Sequence, residues 1–324
     1  MSFSSDVKKE LARNISAARH CRIAELAGMI GMVGHVDCQD GKPVRIVIST
    51  ERSVIANTMS ELIKKLFGLV PECSVKRAGA DSRVYRMVFN RQEDVERILT
   101  TLKITEKTEK TENNGGNVRG MDCQEMHISG LVIQKDCCRR AFIKGVFMTS
   151  GSISDPEKGY HFEVVCDNPE RAELISGIIH NFDIDSKVIA RKRYHVVYIK
   201  DGTMIVDMLN LMGAYSSLMD MENIRILKDI ANNVNRKVNC EAANLNKTVN
   251  AAVRQIEDIE YIIKVKGIHY LPDNLVELAQ ARLEARDASL KELGEMINPP
   301  IGKSGVNHRL RKISEIADHL RGCR

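Results

Sequence analysis

The chain has no tryptophan, and aromatic residues make up only 4% of its 324 positions. So few aromatic side chains disfavour a platform on which single-stranded bases would stack. No run of about 18 apolar residues occurs, so no transmembrane helix is expected. The first ten residues lack the apolar core of a secretory signal. These absences predict a cytoplasmic protein with no membrane partner, and the 28% of charged residues predicts a soluble one.

Metal-binding motifs are also missing. The nine cysteines form no Cys-x-x-Cys, and no pair of histidines lies at zinc-finger spacing beside a cysteine pair. The adjacent Cys137 and Cys138 are interpreted as one buried and one partly exposed thiol. The sequence therefore predicts no metal site, no cofactor and no small-molecule substrate.

Two parts of the chain are related to each other. Cys21–Gly28 aligns without a gap onto Cys138–Gly145, with Cys, Arg, Ala and Gly in common. Hydrophobic periodicity predicts the same order in both copies, which is a helix, a strand, a second helix, two strands and a final helix. We therefore expect an α+β unit that occurs twice. The polar segment 104–119, with its Thr-Glu-Lys repeats, is predicted to be a flexible linker between the copies.

Small residues recur on the first helix of each copy, expected near 21–33 and 138–150. Ala24 and Gly28 in one copy, and Ala141 and Gly145 in the other, lie four positions apart on one face. Such spacing lets two helix backbones approach closely. We expect these helices to pack on each other across a pseudo-two-fold axis, in a domain with mixed or antiparallel sheets.

The region after about residue 220 is predicted to be entirely helical. One helix is expected near Asn223–Val238 and another is expected to end at Gly267. The asparagine-rich segment 232–247 between them is predicted to be a loop, because asparagine favours caps and turns.

A helix-turn-helix is predicted near the C-terminus. Ser289 and Glu292 form a capping box that begins a short helix, and the prolines within 298–302 end it. Ser304 is expected to cap a second helix. From Gly302 to Lys312 that segment holds four basic residues and no acid, although the whole chain carries a net charge of only +5.

The second helix of such a motif enters the major groove of DNA. Arg and Asn can pair with base edges, and Lys suits phosphates. The residues predicted to bind double-stranded DNA are Ser289, Lys303, Ser304, Asn307, His308, Arg309, Arg311 and Lys312.

The segment Leu26–Gly34, LAGMIGMVG, resembles the LAGLIDADG motif of homing endonucleases. The duplicated unit together with the C-terminal run SLKELGEMINPPIGKSGVNHRLRKI is similar to the WhiA family. The resemblance covers essentially the whole chain. It implies a bacterial transcription factor tied to sporulation or cell division. The domains implied are a first repeat (1–103), the linker (104–119), a second repeat (120–219), connecting helices (220–270) and the helix-turn-helix (271–324).

The motif departs from that of the nucleases at the position of the metal-binding acid. Homing endonucleases carry a carboxylate before the last glycine of each copy, whereas this chain has Val33 and Ser150. Neither side chain can replace a carboxylate on Mg²⁺. Asp37 and Asp155 lie about a turn or more too far along to substitute. We therefore predict a nuclease scaffold without catalytic residues, and a protein that is not an enzyme.

The resemblance also implies a second DNA surface, because homing endonucleases lay their sheets over DNA. Seven basic residues fall in or beside the corresponding strands and could contact phosphates: Lys76, Arg77, Arg83, Arg86, Arg191, Lys192 and Arg193. An equal alternative is that these residues are solvated strand ends with no role in DNA binding.

The function expected is that of a sequence-specific, nucleoid-associated regulator of cell division, chromosome segregation or sporulation. Alternatives are a protein-interaction scaffold on the nucleoid, with RNA polymerase or a second regulator as partner, and an active endonuclease. RNA splicing is a minor alternative.

Overall fold

A computed structural model describes residues 2–39, 42–77, 83–106 and 126–322. The chain forms two compact units, Met1–Lys228 and Asp229–Arg324. Most of the expected linker, residues 107–119, lies outside the described part. Its first three residues are not a linker, since Ile104–Glu106 forms a strand.

The first half of the N-terminal unit contains one four-stranded sheet and four helices. The strand order is β1-β2-β4-β3, and every neighbouring pair is antiparallel. The elements are α1 (Phe3–Arg13), α2 (Arg19–Val33), β1 (Gly34–Gln39), β2 (Lys42–Thr50), α3 (Ser53–Phe67), β3 (Glu72–Arg77), β4 (Arg83–Phe89) and α4 (Gln92–Leu102).

The second half repeats this arrangement after a short antiparallel ladder, in which β5 (Ile104–Glu106) pairs with β6 (Met126–Ile128). A 3₁₀ turn at Gly130–Ile133 follows. The sheet order is β7-β8-β10-β9, again antiparallel. The elements are α5 (Asp136–Ser150), β7 (Gly151–Ile153), β8 (Phe162–Cys166), α6 (Pro169–His180), β9 (Lys187–Arg191), β10 (Tyr194–Ile199) and α7 (Gly202–Met212). The predicted α+β duplication is confirmed.

Helices α2 and α5 pack directly on each other, as the spacing of small residues predicts. A Cβ at Gly28 would lie 2.6 Å from the carbonyl oxygen of Phe142, and one at Gly145 would lie 2.1 Å from that of Glu25. Phe142 aligns with Glu25 in the duplication, so the two contacts are related by the pseudo-two-fold axis. Only glycine allows the backbones to come this close.

Each of these helices runs straight into a strand that sequence analysis missed. Gly34 and Gly151 end α2 and α5 with extended backbone, and β1 and β7 begin at the same residues. Strand β7 has only three residues, and in β1 only Val36 is buried, so neither strand shows the apolar alternation that predicts a strand.

A single helix, α8 (Tyr215–Lys266), replaces the two helices and the loop that were predicted for this region. The loop prediction for 232–247 is wrong. Residues 215–266 contain neither glycine nor proline, and the propensity cost of each asparagine is only a few tenths of a kcal/mol, about 0.7 at most. Among the described helices, none combines the length and the apolar composition that crossing a membrane requires.

The C-terminal unit is entirely helical where it is described. After α8 and a 3₁₀ turn at Ile268–Tyr270 come α9 (Asp273–Glu284), α10 (Leu290–Glu295) and α11 (Lys303–Gly322). One apolar core joins these helices. Its fully buried members from α8, α9 and α11 include Ile259, Ile262, Leu278, Val306 and Ala317.

Candidate nucleic-acid interface

The short helix α10 begins with the predicted capping box. The Ser289 hydroxyl accepts a hydrogen bond from the Glu292 amide at 3.3 Å, and a Glu292 carboxylate oxygen accepts one from the Ser289 amide at 2.7 Å. Hydrogen bonds to the carboxylate from the backbone amide of Ser289 and, secondly, from its hydroxyl lower the pKa of Glu292, because they favour the charged form. The hydroxyl of Ser289 therefore fixes the start of α10, although the residue was predicted to bind DNA.

The turn between α10 and α11 folds back tightly on α10. The Ile301 amide donates to the Gly294 carbonyl at 3.0 Å, and a Cβ at Gly294 would lie 2.2 Å from the Ile301 carbonyl oxygen. The Asn298 amide donates to a Glu277 carboxylate oxygen on α9 at 2.9 Å. These contacts fix where α11 leaves the turn.

Helix α11 begins at Lys303, one residue before the expected cap. The Gly302 carbonyl accepts from the Val306 amide at 3.1 Å, so Gly302 occupies the capping position. Ser304 lies inside the first turn, and its predicted role as the cap is wrong. Its side chain is on the exposed surface of the helix.

The exposed face of α11 is polar and basic. Val306, Leu310 and Ile313 are buried in the core, and the opposite side of a helix with 3.6 residues per turn carries residues three or four positions apart. We call this side the α11 face; it consists of Ser304, His308, Arg311 and Lys312, all of them exposed.

The remaining predicted residues lie on the flanks of α11. Lys303 and Asn307 are exposed on one side, where Asn307 lines an open cavity beside α8. Arg309 lies on the other side and donates to the Asn274 carbonyl at the start of α9, at 3.2 Å. The structure thus brings Lys303, Ser304, Asn307, His308, Arg311 and Lys312 to one exposed region.

Two arginines that were not predicted from the sequence hold the motif together, one by being buried and the other by pairing with a buried carboxylate. Arg282 is buried and donates to the Ala288 carbonyl at 2.7 Å, in the loop before α10. Burial lowers the pKa of Arg282. Arg321 donates to the buried Asp258 carboxylate of α8 at 2.7 Å, and its guanidinium lies 4.8 Å from the Tyr261 ring centroid. Both arginines belong to amphipathic helices whose other charged residues are mostly exposed, so no sequence signal distinguishes them.

The basic residues of the first sheet do not share one face. Lys76 and Arg86 lie on the side turned away from the core, whereas Arg77 pairs with Arg83 on the side that carries the buried Met87. Strand alternation also puts Arg45 on the outer side, where it lies 3.7 Å from Asp37. Sequence analysis missed Arg45.

In the second sheet, Arg191 lies opposite Tyr194 and is exposed. One of its guanidinium nitrogens is 3.9 Å from a Glu163 carboxylate oxygen. Lys192 and Arg193 form the turn between β9 and β10, and Arg193 donates to the Tyr194 hydroxyl at 2.8 Å. Lys76, Arg86 and Arg191 therefore remain as candidates on outward faces.

The ends of α2 and α5, where nucleases carry their acids, hold Val33 and Ser150. The first acidic residues after these positions in each repeat, Asp37 and Asp155, contact neighbouring protein groups. Asp37 lies 3.2 Å from the His35 imidazole, and Asp155 accepts from the Glu157 amide at 3.0 Å. In the described part of the chain, no group of three or more possible metal ligands lies at this end of the two helices.

The opposite ends of α2 and α5 bring together four side chains that carry possible metal-ligand atoms, a meeting that was not predicted from the sequence. Cys137 is exposed and Cys138 is buried, as predicted. Both, however, lie with His20 and Cys21 in one cluster of four ligand atoms. The four side chains come in neighbouring pairs from two helices, so no spacing within one segment indicates them.

Three family models match consecutive parts of the chain. Residues 19–105 match the WhiA N-terminal LAGLIDADG-like domain, residues 139–231 match the WhiA LAGLIDADG-like domain, and residues 234–317 match the WhiA C-terminal HTH domain. The helix-turn-helix and the degenerate LAGLIDADG repeats thus agree with the elements described above.

Full-length relatives give the same result. A probable cell division protein WhiA of Lachnoclostridium phytofermentans is 45% identical over 99% of this chain and 100% of the relative. One of Alkaliphilus oremlandii is 46% identical over 99% and 98%. The crystal structure of full-length DUF199/WhiA from Thermatoga maritima superimposes with a TM-score of 0.57 at 25% identity, covering 98% of this chain and 99% of that one. The chain therefore belongs to the WhiA family.

Proposed function

We propose that this chain is a sequence-specific DNA-binding regulator of transcription that acts in cell division, chromosome segregation or sporulation and cuts no DNA. The α11 face carries the proposal. It is the exposed side of a helix that follows a fixed turn, and from Lys303 to Lys312 the helix holds no acid. The names of the relatives support the part in cell division.

The residue types suit two different kinds of contact with DNA, one with base edges and one with phosphates. Arg311 and Asn307 can form paired hydrogen bonds with guanine and adenine edges in the major groove. Lys303 and Lys312 lie beside them and suit phosphates, whose contacts add affinity and salt dependence without sequence information. Ser289 acts indirectly, by fixing the start of α10. Lys76, Arg86 and Arg191 would add phosphate contacts from the N-terminal unit.

The absence of a carboxylate at Val33 and Ser150 supports a role without nuclease activity, because two-metal hydrolysis needs acids at these positions. The site of action would be the nucleoid. A protein partner, such as RNA polymerase or a second regulator, would connect the bound site to transcription.

The test is selection of genomic fragments on the purified full chain at physiological salt. We expect an enriched motif that Arg311→Ala loses, with specific binding weakened by about 1–3 kcal/mol. Arg254→Ala is the matched control, since it removes the same charge from an exposed position of α8. Enrichment of no motif by the wild-type chain would favour the protein-scaffold alternative, and site-specific cuts in plasmid with Mg²⁺ would overturn the non-catalytic part.

A further inference from the structure

Four side chains with metal-binding atoms meet at the N-terminal ends of α2 and α5. The Nδ1 atom of His20 lies 3.2 Å from the Cys138 sulfur, 3.3 Å from the Cys21 sulfur and 3.9 Å from the Cys137 sulfur. All four ligand atoms lie within 4.8 Å of one another. In the described part of the chain this is the only group of its kind.

The three distances from His20 Nδ1 to the sulfurs lie close to the edges of a zinc-centred tetrahedron. With Zn–S bonds of about 2.3 Å and a Zn–N bond of about 2.0 Å, the ligand atoms of a tetrahedral site lie roughly 3.5–3.8 Å apart. Three cysteines and one histidine are also a standard set for a structural zinc site, which has no open position for substrate.

We propose that His20, Cys21, Cys137 and Cys138 bind one zinc ion that joins the first turns of α2 and α5. Cys21 aligns with Cys138 in the duplication, and His20 therefore aligns with Cys137. Each half supplies two neighbouring ligands, so the ion lies on the pseudo-two-fold axis. The site is independent of the proposed DNA-binding function.

This site is distinct from the metal position of nucleases. Val33 lies 12 residues after Cys21 on the same helix, which separates the two ends by about 18 Å at 1.5 Å per residue. The ion would hold the two repeats together at one end of the helix pair, and it would take no part in hydrolysis.

Charge and access both suit a bound ion. Three thiolates and Zn²⁺ carry a net charge of −1, which the N-terminal ends of two helices stabilise. The flanking sequences Arg19-His-Cys-Arg22 and Lys135-Asp-Cys-Cys-Arg-Arg140 add positive charge. His20 and Cys137 are exposed while Cys21 and Cys138 are buried, so an ion can enter from solvent and then be partly enclosed. Binding releases the thiol protons.

The experiment titrates the reduced, metal-free full chain with Co²⁺ and then with Zn²⁺. We expect one ion per chain, visible absorption of tetrahedral Co²⁺ with thiolate ligands, and loss of that absorption when Zn²⁺ displaces the cobalt. Zn²⁺ should also raise the melting temperature, because the ion binds the folded state.

The variants Cys137→Ser and His20→Ala change exposed side chains, so neither opens a cavity in the core. Each should weaken Zn²⁺ binding by more than about tenfold, since even loss of an outer-shell partner costs 10–100-fold. Cys73→Ser and Cys240→Ser, at exposed cysteines outside the cluster, should bind like the wild type. Failure of the wild-type chain to take up one ion would overturn the proposal. Uptake that Cys137→Ser leaves unchanged, or a cluster disulfide that persists under reductant, would also overturn it.

Discussion

The Glu25 carboxylate lies 2.9 Å from the Lys144 ammonium across the α2–α5 interface, and both side chains are almost fully buried. Lys144 also donates to the Asn14 carbonyl at 2.5 Å. Burial raises the pKa of Glu25, and the neighbouring Lys144 acts in the opposite direction. An ion pair in such an environment contributes little net stability, but removal of one partner leaves a buried charge uncompensated.

Lys144→Met should lower the free energy of unfolding by about 3–5 kcal/mol at neutral pH, because the Glu25 carboxylate loses its cation. The double variant Glu25→Gln, Lys144→Met should recover part of this loss. Urea denaturation measures both.

A carboxyl group with a raised folded pKa stabilises the fold most below its unfolded value of 4.5 and less as the pH rises. The deficit of Lys144→Met should therefore shrink in acid, and a deficit that does not change with pH would contradict this explanation.

Lys8 should make stability depend on pH in the alkaline range. Burial, and secondly the charge of Arg52, lowers the pKa of Lys8 from 10.5 to about 7. Between these values the unfolded chain binds more protons than the folded one, so the free energy of unfolding should rise with pH from about 7 to about 10. Lys8→Met should remove this rise and Lys64→Met, at an exposed lysine of α3, should keep it. An identical rise in both variants would exclude Lys8 as the cause.

Gly145→Ala should destabilise the N-terminal unit. The added methyl would lie 2.1 Å from the Glu25 carbonyl oxygen, so α2 and α5 must separate, at a cost of at least about 1–3 kcal/mol. Gly177→Ala is the matched control, because this glycine of α6 has open space around its Cβ position. It should gain about 0.5–1 kcal/mol. Thermal unfolding of the two variants gives shifts of opposite sign if the interface is as close as described.

Arg321→Ala should destabilise the C-terminal unit by about 1–3 kcal/mol, because it leaves the buried Asp258 carboxylate without its donor. Arg254→Ala is an internal comparison. Both arginines contact Asp318, but only Arg321 contacts Asp258. Arg254→Ala should therefore change stability by less than about 0.5 kcal/mol. If chemical denaturation shows the same loss of stability in both variants, the shared contact with Asp318, and not the contact with Asp258, stabilises the unit.

Local patterns in the sequence predicted most of the fold. Equal spacing of Ala and Gly predicted the close contact of α2 with α5, and the Ser289–Glu292 spacing predicted the start of α10. Composition misled at 232–247, because many weak helix formers without a glycine or proline still continue a helix. The burial of Arg282 and the meeting of His20 with Cys138 depend on packing between distant segments, which no local pattern contains.

The buried pair of Glu25 and Lys144 has a consequence for how the two repeats recognise each other. In the aligned repeats, Glu25 corresponds to Phe142 and Lys144 corresponds to Ala27, so the axis that relates the backbones does not relate these charges. If two copies of the first repeat associated through α2, each Glu25 would face an alanine and no ammonium. Two copies of the second repeat would bury two lysines without a carboxylate. The two repeats thus form a pseudo-heterodimer within one chain. Each repeat pairs more favourably with the other repeat than with a second copy of itself.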